Sequence, residues 1–222
     1  DLLDNTMIVF TSDHGEMLGE RGKWFKQYFY ESSVRVPLII AMPGTIKPGR
    51  VSEHTSLVDL LPTFMDLATG GKPPEPVSPL DGDSLIGLLS GGDDGWNNTV
   101  ISEYTGEGVI APCRMIRRGK YKYIYTHGHP PLLYNTDDYP LELTNLAGQA
   151  NVAAVEAELA HDLLVDWDPD AINEKCIQSQ KERLFIQEAT GGEPTWAFHS
   201  RQGDGQRYVR NSGAVQAKQK AR

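Results

Sequence analysis

The sequence predicts an α/β fold that passes into a smaller antiparallel sheet with helices, and three observations carry that prediction. Met7–Phe10 and Val36–Met42 are nearly continuous apolar runs rich in β-branched residues, the pattern of parallel strands buried on both faces. Leu57, Leu60, Leu61, Phe64, Met65 and Leu67 recur at helical spacing. Beyond Trp96 the chain breaks into short β-type runs separated by turn residues.

In chain order, the first run ends abruptly in Thr11-Ser12-Asp13-His14-Gly15, so an apolar strand delivers polar groups to its carboxyl edge. The second run is closed by Pro43-Gly44. The helix expected from Ser56 is stopped by Gly70-Gly71. The Pro-rich stretch 72–79 reads as a loop. Asp83-Ser84 is expected to cap a short helix, Leu85–Leu89, closed by Gly91-Gly92. Val100–Tyr104, Arg114–Arg118, Tyr121–Tyr125 and Leu132–Tyr134 then read as short antiparallel strands, with a hairpin turn at Arg118-Gly119-Lys120. Helices follow over about 149–165 and 170–189, the first with an apolar stripe of Val152, Val155, Leu159 and Leu163. After Gly191-Gly192, Trp196, Phe198 and Tyr208 stand among polar residues and suggest an extended arm that docks on another subunit. The expected organisation is therefore 1–95, 96–190 and a tail over 191–222.

Composition narrows the function classes. The formal charge of −9 over 222 residues provides no basic field for nucleic acid. No run approaches the roughly 18 apolar residues of a membrane span. Cys113 and Cys176 have neither CxxC nor zinc spacing, and two isolated thiols fit a reducing, cytoplasmic setting. The chain opens on Asp1 rather than methionine, so its start reads as a cut edge.

Asp13 and His14 are the chemical focus, because a carboxylate beside an imidazole can offer oxygen and nitrogen to a divalent metal. A bare Asp-His-Gly reads first as an ordinary strand-end turn. The residues that follow decide the matter: Leu18-Gly19-Glu20-Arg21-Gly22, Lys23, Trp24, Lys26, then Tyr30-Glu31-Ser32-Ser33-Val34-Arg35-Val36-Pro37 entering the next strand. This ordered series resembles the sulfatases of the alkaline-phosphatase-like superfamily. They show a strand ending in Ser-Asp-His-Gly or Ser-Asp-Asn-Gly, then Leu-Gly, a lysine, and Tyr/Phe-Glu-x-x-x-Arg-x-Pro.

The resemblance implies that Asp13 and His14 are the family's two late metal ligands, usually for calcium. It implies that Lys26, at the family's spacing ahead of Glu31, contacts the sulfate oxygens; Lys23 does not fit that spacing. A metal and an ammonium aimed at oxygens that gain negative charge stabilise the transition state of ester cleavage. Glu31 and Arg35 are expected to pair with each other and hold the loop. The family's nucleophile, a formylglycine made within a C-x-P-x-R motif, has no counterpart here: Cys113 is followed by Arg114-Met115-Ile116-Arg117 and Cys176 by Ile177-Gln178-Ser179-Gln180. The expectation is the carboxyl-terminal half of such an enzyme, inactive alone, with the nucleophile and remaining ligands in an amino-terminal half.

Two later segments refine the resemblance. Leu133-Tyr134-Asn135 through Pro140-Leu141-Glu142 to Asn145-Leu146 is similar to a segment shared by many sulfatases. Trp167-Asp168, Ser179-Gln180, Arg183, Trp196 and Gln206-Arg207-Tyr208-Val209-Arg210-Asn211 are similar to the carboxyl-terminal extension of bacterial choline-sulfatases. After Asn211 the pattern departs from that group, with Ser212-Gly213-Ala214 where acidic residues are expected. The implied substrate is choline-O-sulfate, the alternative another alkyl or aryl sulfate, or a phosphonate or phosphodiester; a non-catalytic interaction module is the reading from a different class. A quaternary ammonium needs aromatic faces and a carboxylate, and Glu103, in Ser102-Glu103-Tyr104, is the candidate, unless it merely pairs with a cation on the next strand. Cys113, His127 and His129 are secondary candidates for the same pocket. The implied assembly is a homo-oligomer held through the tail.

Overall fold

The computed structural model describes residues 2–72, 75–92 and 95–191. The described residues fall into two units, divided after Cys176. The aromatic residues of the expected docking arm, and Gln206 to Asn211, lie outside the described residues.

The first unit holds two sheets. Strand β1 (Ile8–Thr11) pairs with β2 (Leu38–Ala41) in the register Ile8↔Ala41 to Thr11↔Leu38, and the pairing is antiparallel. This corrects the expectation of parallel strands buried on both faces. Apolar content does not encode strand direction, and the two-stranded ribbon covers one face only. Val9, Thr11, Leu38 and Ile40 are half-buried, with Val9 near Phe64 and Leu67, whereas Phe10 and Ile39 remain about 60 % exposed on the other face. The excursion between the strands carries Asp13, His14, Lys26 and the short helix α1 (Glu31–Val34).

Helix α2 (Leu60–Thr69) follows a 3-10 turn at Leu57–Asp59. Ser56 and Asp59 form a reciprocal capping box, and the buried Asp59 also accepts from the Asp83 N–H at 3.1 Å. Gly70, at φ +63°, ends the helix as its sequence implies. Helix α3 (Ile86–Leu89) is one turn; Ser84 Oγ accepts from Ile86 N at 3.4 Å and donates to Asp66 at 2.7 Å, so the expected cap also ties α3 to α2.

The second sheet is a meander of β3 (Thr99–Tyr104), β4 (Cys113–Arg118), β5 (Tyr121–Thr126) and β6 (Leu132–Asn135), all antiparallel. Each strand lies within a residue of its position in the sequence reading. Arg118 pairs with Tyr121 across a two-residue turn in which Gly119 adopts φ +53°. Strand alternation then builds two cores. Ile116, Tyr123 and Leu133 meet Val152, Leu159 and Leu163 of the 3-10 turn Ala150–Val152 and helix α4 (Ala153–Leu164). On the opposite face, Cys113, Met115, Ile124 and Tyr134 pack with Phe29 from the excursion between β1 and β2. Helix α5 (Pro169–Ala189) starts with Asp168 Oδ1 accepting from Ala171 N at 3.0 Å. In the second unit, Gln178–Glu182 and Ser179–Arg183 side chains bond at 2.9 Å along this helix. No helix among the described residues is long and apolar enough to cross a membrane.

One ionic cluster joins the excursion to the meander. Lys122, midway along β5, is 0 % exposed. It donates to the Glu31 carboxylate, to Glu142 Oε1 at 2.8 Å and to Phe29 O at 2.9 Å. Arg117, its cross-strand neighbour, reaches Glu31 Oε1 at 3.0 Å. Glu31 therefore bonds to cations of the second sheet, a correction to the expected pairing with Arg35. Burial pulls the Glu31 carboxyl upward, but Lys122, Arg117 and Arg35 together hold it below its ordinary value of 4.5.

Removing one member of a buried ion cluster strands the others. Lys122→Met is expected to lower stability by about 3–5 kcal/mol, read as a shift in the urea midpoint. Because the folded pKa of Glu31 lies below the unfolded one, its contribution is complete above pH 4.5 and declines as pH falls through the folded value. Acid titration of Glu31→Gln should accordingly show a shallower loss of stability in that window than the parent chain.

Candidate active site

The polar end of β1 is organised by its own backbone. Ser12 Oγ donates to His14 O at 2.7 Å, and His14 N donates to Asp13 Oδ1 at 3.0 Å. His14 Nδ1 lies 2.7 Å from Gly15 O, and a carbonyl can only accept, so Nδ1 carries the proton. In the neutral ring this leaves a lone pair on Nε2, which faces Asp13 Oδ2 at 3.2 Å. Two electron-pair donors thus converge, an arrangement that a divalent cation can bridge. The Asp13 side chain is 82 % exposed and that of His14 38 %. Desolvation raises the Asp13 carboxyl, but His14, the backbone N–H groups and Ser12 outweigh it and hold the group below its ordinary value.

The donor set fits a divalent cation in part. One carboxylate oxygen and one imidazole nitrogen converge, with the tautomer fixed by the bond on the far ring nitrogen, an arrangement common to metal-ligating histidines. Among the described residues no third His, Cys, Asp or Glu joins them, so other groups must complete any coordination shell.

Lys26 reaches the same neighbourhood through its backbone. Gly15 N and Glu16 N donate to Ser33 O at 2.7 Å and Ser32 O at 2.9 Å, and Ser33 Oγ donates to Lys26 O at 2.7 Å. The Lys26 side chain is exposed and makes no ion pair among the described residues, whereas Lys23 lies 4.4 Å from the Tyr28 ring centroid. Gly15 permits the close approach of these segments, because a Cβ there would sit 2.0 Å from Ser32 O. The loop stores backbone strain nearby: Leu18, Arg21 and Phe25 all hold positive φ.

Glu103 is not brought to this group. It stands opposite Arg114, whose Nε lies 3.9 Å from Glu103 Oε2 and whose Nη1 bonds Leu163 O and Asp166 at the end of α4. Glu103 thus belongs to the helix-covered face of the meander, while Phe29 and Glu31 meet the other face, where Tyr104 packs. The ladder parity that the run Ser102-Glu103-Tyr104 leaves open is set here by the Arg114 pairing. Cys113 is buried under the site loop, its thiol pushed up to about 11 by burial and by Glu103. His127 sits beside Asp170 at 3.7 Å, again on the helix-covered side. Sequence reasoning missed Ser33, Lys122 and Glu142, which hold the loop. The one available signal was a lysine centred in the aromatic alternation Tyr121-Lys122-Tyr123-Ile124-Tyr125.

Comparison with known proteins adds family information. A family model described as Sulfatase matches residues 1–71. Choline-sulfatase of Rhizobium meliloti (strain 1021) is 42% identical over 216 residues, covering 95% of this chain and 41% of that protein. Arylsulfatase K of Mus musculus is 38% identical over 160 residues, covering 66% of this chain and 28% of that protein. The crystal structure of a phosphonate monoester hydrolase of Agrobacterium radiobacter superposes with a TM-score of 0.62 at 35% identity, covering 73% of this chain and 35% of its own. The chain thus spans about two fifths or less of the length of these relatives.

The burial of Cys113 has a direct readout. With its thiol at about 11, it holds about two orders of magnitude less thiolate at pH 8 than a free cysteine. In a Cys176→Ser variant, a disulfide-exchange reagent at pH 8 should leave Cys113 unmodified until denaturant is added.

Proposed function

Because the chain belongs to the sulfatase family of alkaline-phosphatase-like hydrolases, we propose that it supplies metal- and sulfate-binding groups to a sulfuric ester hydrolase acting on choline-O-sulfate. The observation that carries this reading is the convergence of Asp13 Oδ2 and His14 Nε2, 3.2 Å apart, with the second ring nitrogen tied to Gly15 O. Similarity to a choline-sulfatase along 95% of the chain supports the choice of ester.

In this proposal Asp13 and His14 hold a divalent cation. Such an ion, when bound, supplies Lewis-acid stabilisation of charge on the sulfate oxygens. Calcium is the proposed metal, although it usually takes oxygen ligands alone; the imidazole donor makes manganese and zinc the informative comparisons. Lys26, which makes no ion pair among the described residues, extends its ammonium from the loop stitched to Asp13-His14 and binds the sulfate group as a point charge, which gains strength as the bridging oxygen becomes anionic. Gly15 and Ser33 keep the two segments in register. Glu103 stays outside this set, held toward Arg114 on the far face of the meander. The nucleophile is assigned to residues beyond these 222, so turnover is proposed for a polypeptide that carries both parts. We also propose that the tail beyond residue 191 mediates self-association.

The rival substrates are neutral aryl sulfates and phosphonate monoesters. Turnover should favour choline-O-sulfate over 4-nitrophenyl sulfate in the polypeptide bearing the nucleophile; a reversed preference would sink the assignment of the ester. Asp13→Ala and His14→Ala should each lower bound metal, and should lower kcat/KM by about a hundredfold or more, the range seen when transition-state stabilisers are removed. Undiminished metal content and turnover in both variants would remove them from the site.

A further inference from the structure

We infer that Lys122, from the second sheet, and Glu142, from the turn that follows β6, are positioning residues for the Asp13-His14-Lys26 site, an inference that rests on the metal-site reading above. The argument follows an unbroken series of contacts. Lys122 Nζ bonds Glu142 Oε1 at 2.8 Å, and Glu142 Oε2 accepts from Glu31 N at 2.8 Å. That N–H opens α1, whose own N-cap residue, Tyr30, makes no side-chain cap. The carboxylate of a residue far along the chain therefore caps this one-turn helix, at the end where negative charge is favoured.

Helix α1 passes the constraint on. Ser32 O and Ser33 O accept from Glu16 N and Gly15 N, and Ser33 Oγ holds Lys26 O. Lys122 also grips Phe29 O at 2.9 Å and the Glu31 carboxylate, fixing the residues immediately ahead of the helix. Glu142 turns inward from a backbone at φ +50° and is only 3 % exposed, while its neighbours Leu141 and Leu143 point outward. The outward side of the same turn is engaged as well: Arg21 donates to Leu141 O, and its guanidinium lies 4.2 Å from the Tyr30 ring centroid. Both arms of the site loop are thus referenced to one turn between β6 and α4. A merely stabilising ion cluster has no need to reach the backbone groups that carry the site, and this one reaches them at Phe29 O and Glu31 N.

The test uses the 222-residue chain, its Glu142→Ala and Glu142→Gln variants, and Asp13→Ala as the control for metal binding, with manganese as the probe. Amide hydrogen exchange should rise at Gly15 and Glu16 at least tenfold more than at the α4 amides in Glu142→Ala. Glu142→Gln, which keeps an oxygen able to accept from Glu31 N, should show a smaller rise. Manganese affinity should fall at least tenfold in Glu142→Ala, the size of effect seen when groups behind a metal ligand are removed. Equal acceleration at Gly15, Glu16 and the α4 amides would overturn the inference, since that is global destabilisation. So would parent-like manganese affinity in Glu142→Ala when Asp13→Ala abolishes binding. If Asp13→Ala leaves manganese binding by the parent chain unchanged, the metal-site reading fails. The exchange measurement then still decides whether Glu142 holds the loop.

Discussion

A single buried ammonium organises the first unit of this chain. Lys122 has no access to water, and an isolated charge in that position would be prohibitively unstable. Its partners must therefore be present and correctly placed. They come from two distant stretches: Glu31 and Phe29 O from the excursion between β1 and β2, and Glu142 from the turn after β6. Arg117 adds a second positive charge on Glu31, so two cations meet two carboxylates and the cluster is neutral. Hydrophobic packing of Phe29 on Cys113, Met115, Ile124 and Tyr134 gives the same interface its area, while the charges give it a register.

From that register the site follows. The excursion could adopt many arrangements on an apolar sheet face, but few place the Glu31 carboxylate between Lys122 and Arg117. With α1 fixed, its carbonyls align Gly15 and Glu16, and the polar end of β1 presents Asp13 and His14 side by side. The positive φ angles at Leu18, Arg21 and Phe25 are tolerated inside this frame, as strained backbone is when its surroundings over-determine it.

Much of this was legible in the sequence, and the remainder for identifiable reasons could not be. The four meander strands, the Gly119 turn and the α4 stripe follow from local alternation and turn chemistry, which act over a few residues. The apolar run ending in Asp13-His14 marks a polar strand end, and its assignment as metal ligands rests on the resemblance carried by the residues after it. Strand direction in β1 and β2 does not follow, because Val9 and Ile40 look alike in either orientation. The destiny of Lys122 is similarly non-local: in an alternating strand it reads as a solvent-facing residue, and only the arrival of Glu31 and Glu142 makes it a core residue. Glu31 has Arg35 nearby in sequence, yet the cations it bonds lie on β4 and β5. Glu103 depends on which face of β3 the α4 helix covers, again a tertiary matter.

The neutrality of the Lys122 cluster also bears on how such sequences can diverge. Its members do not act independently, because a single loss leaves an unmatched charge beside the buried Lys122 and Glu142. Positions 31, 117, 122 and 142 are therefore coupled energetically, and a charge lost at one of them is best offset by a matching change at another. Exposed residues of the excursion other than Asp13, His14 and Lys26, such as Trp24 and Phe25, carry no such charge coupling, so the frame itself does not dictate what they are.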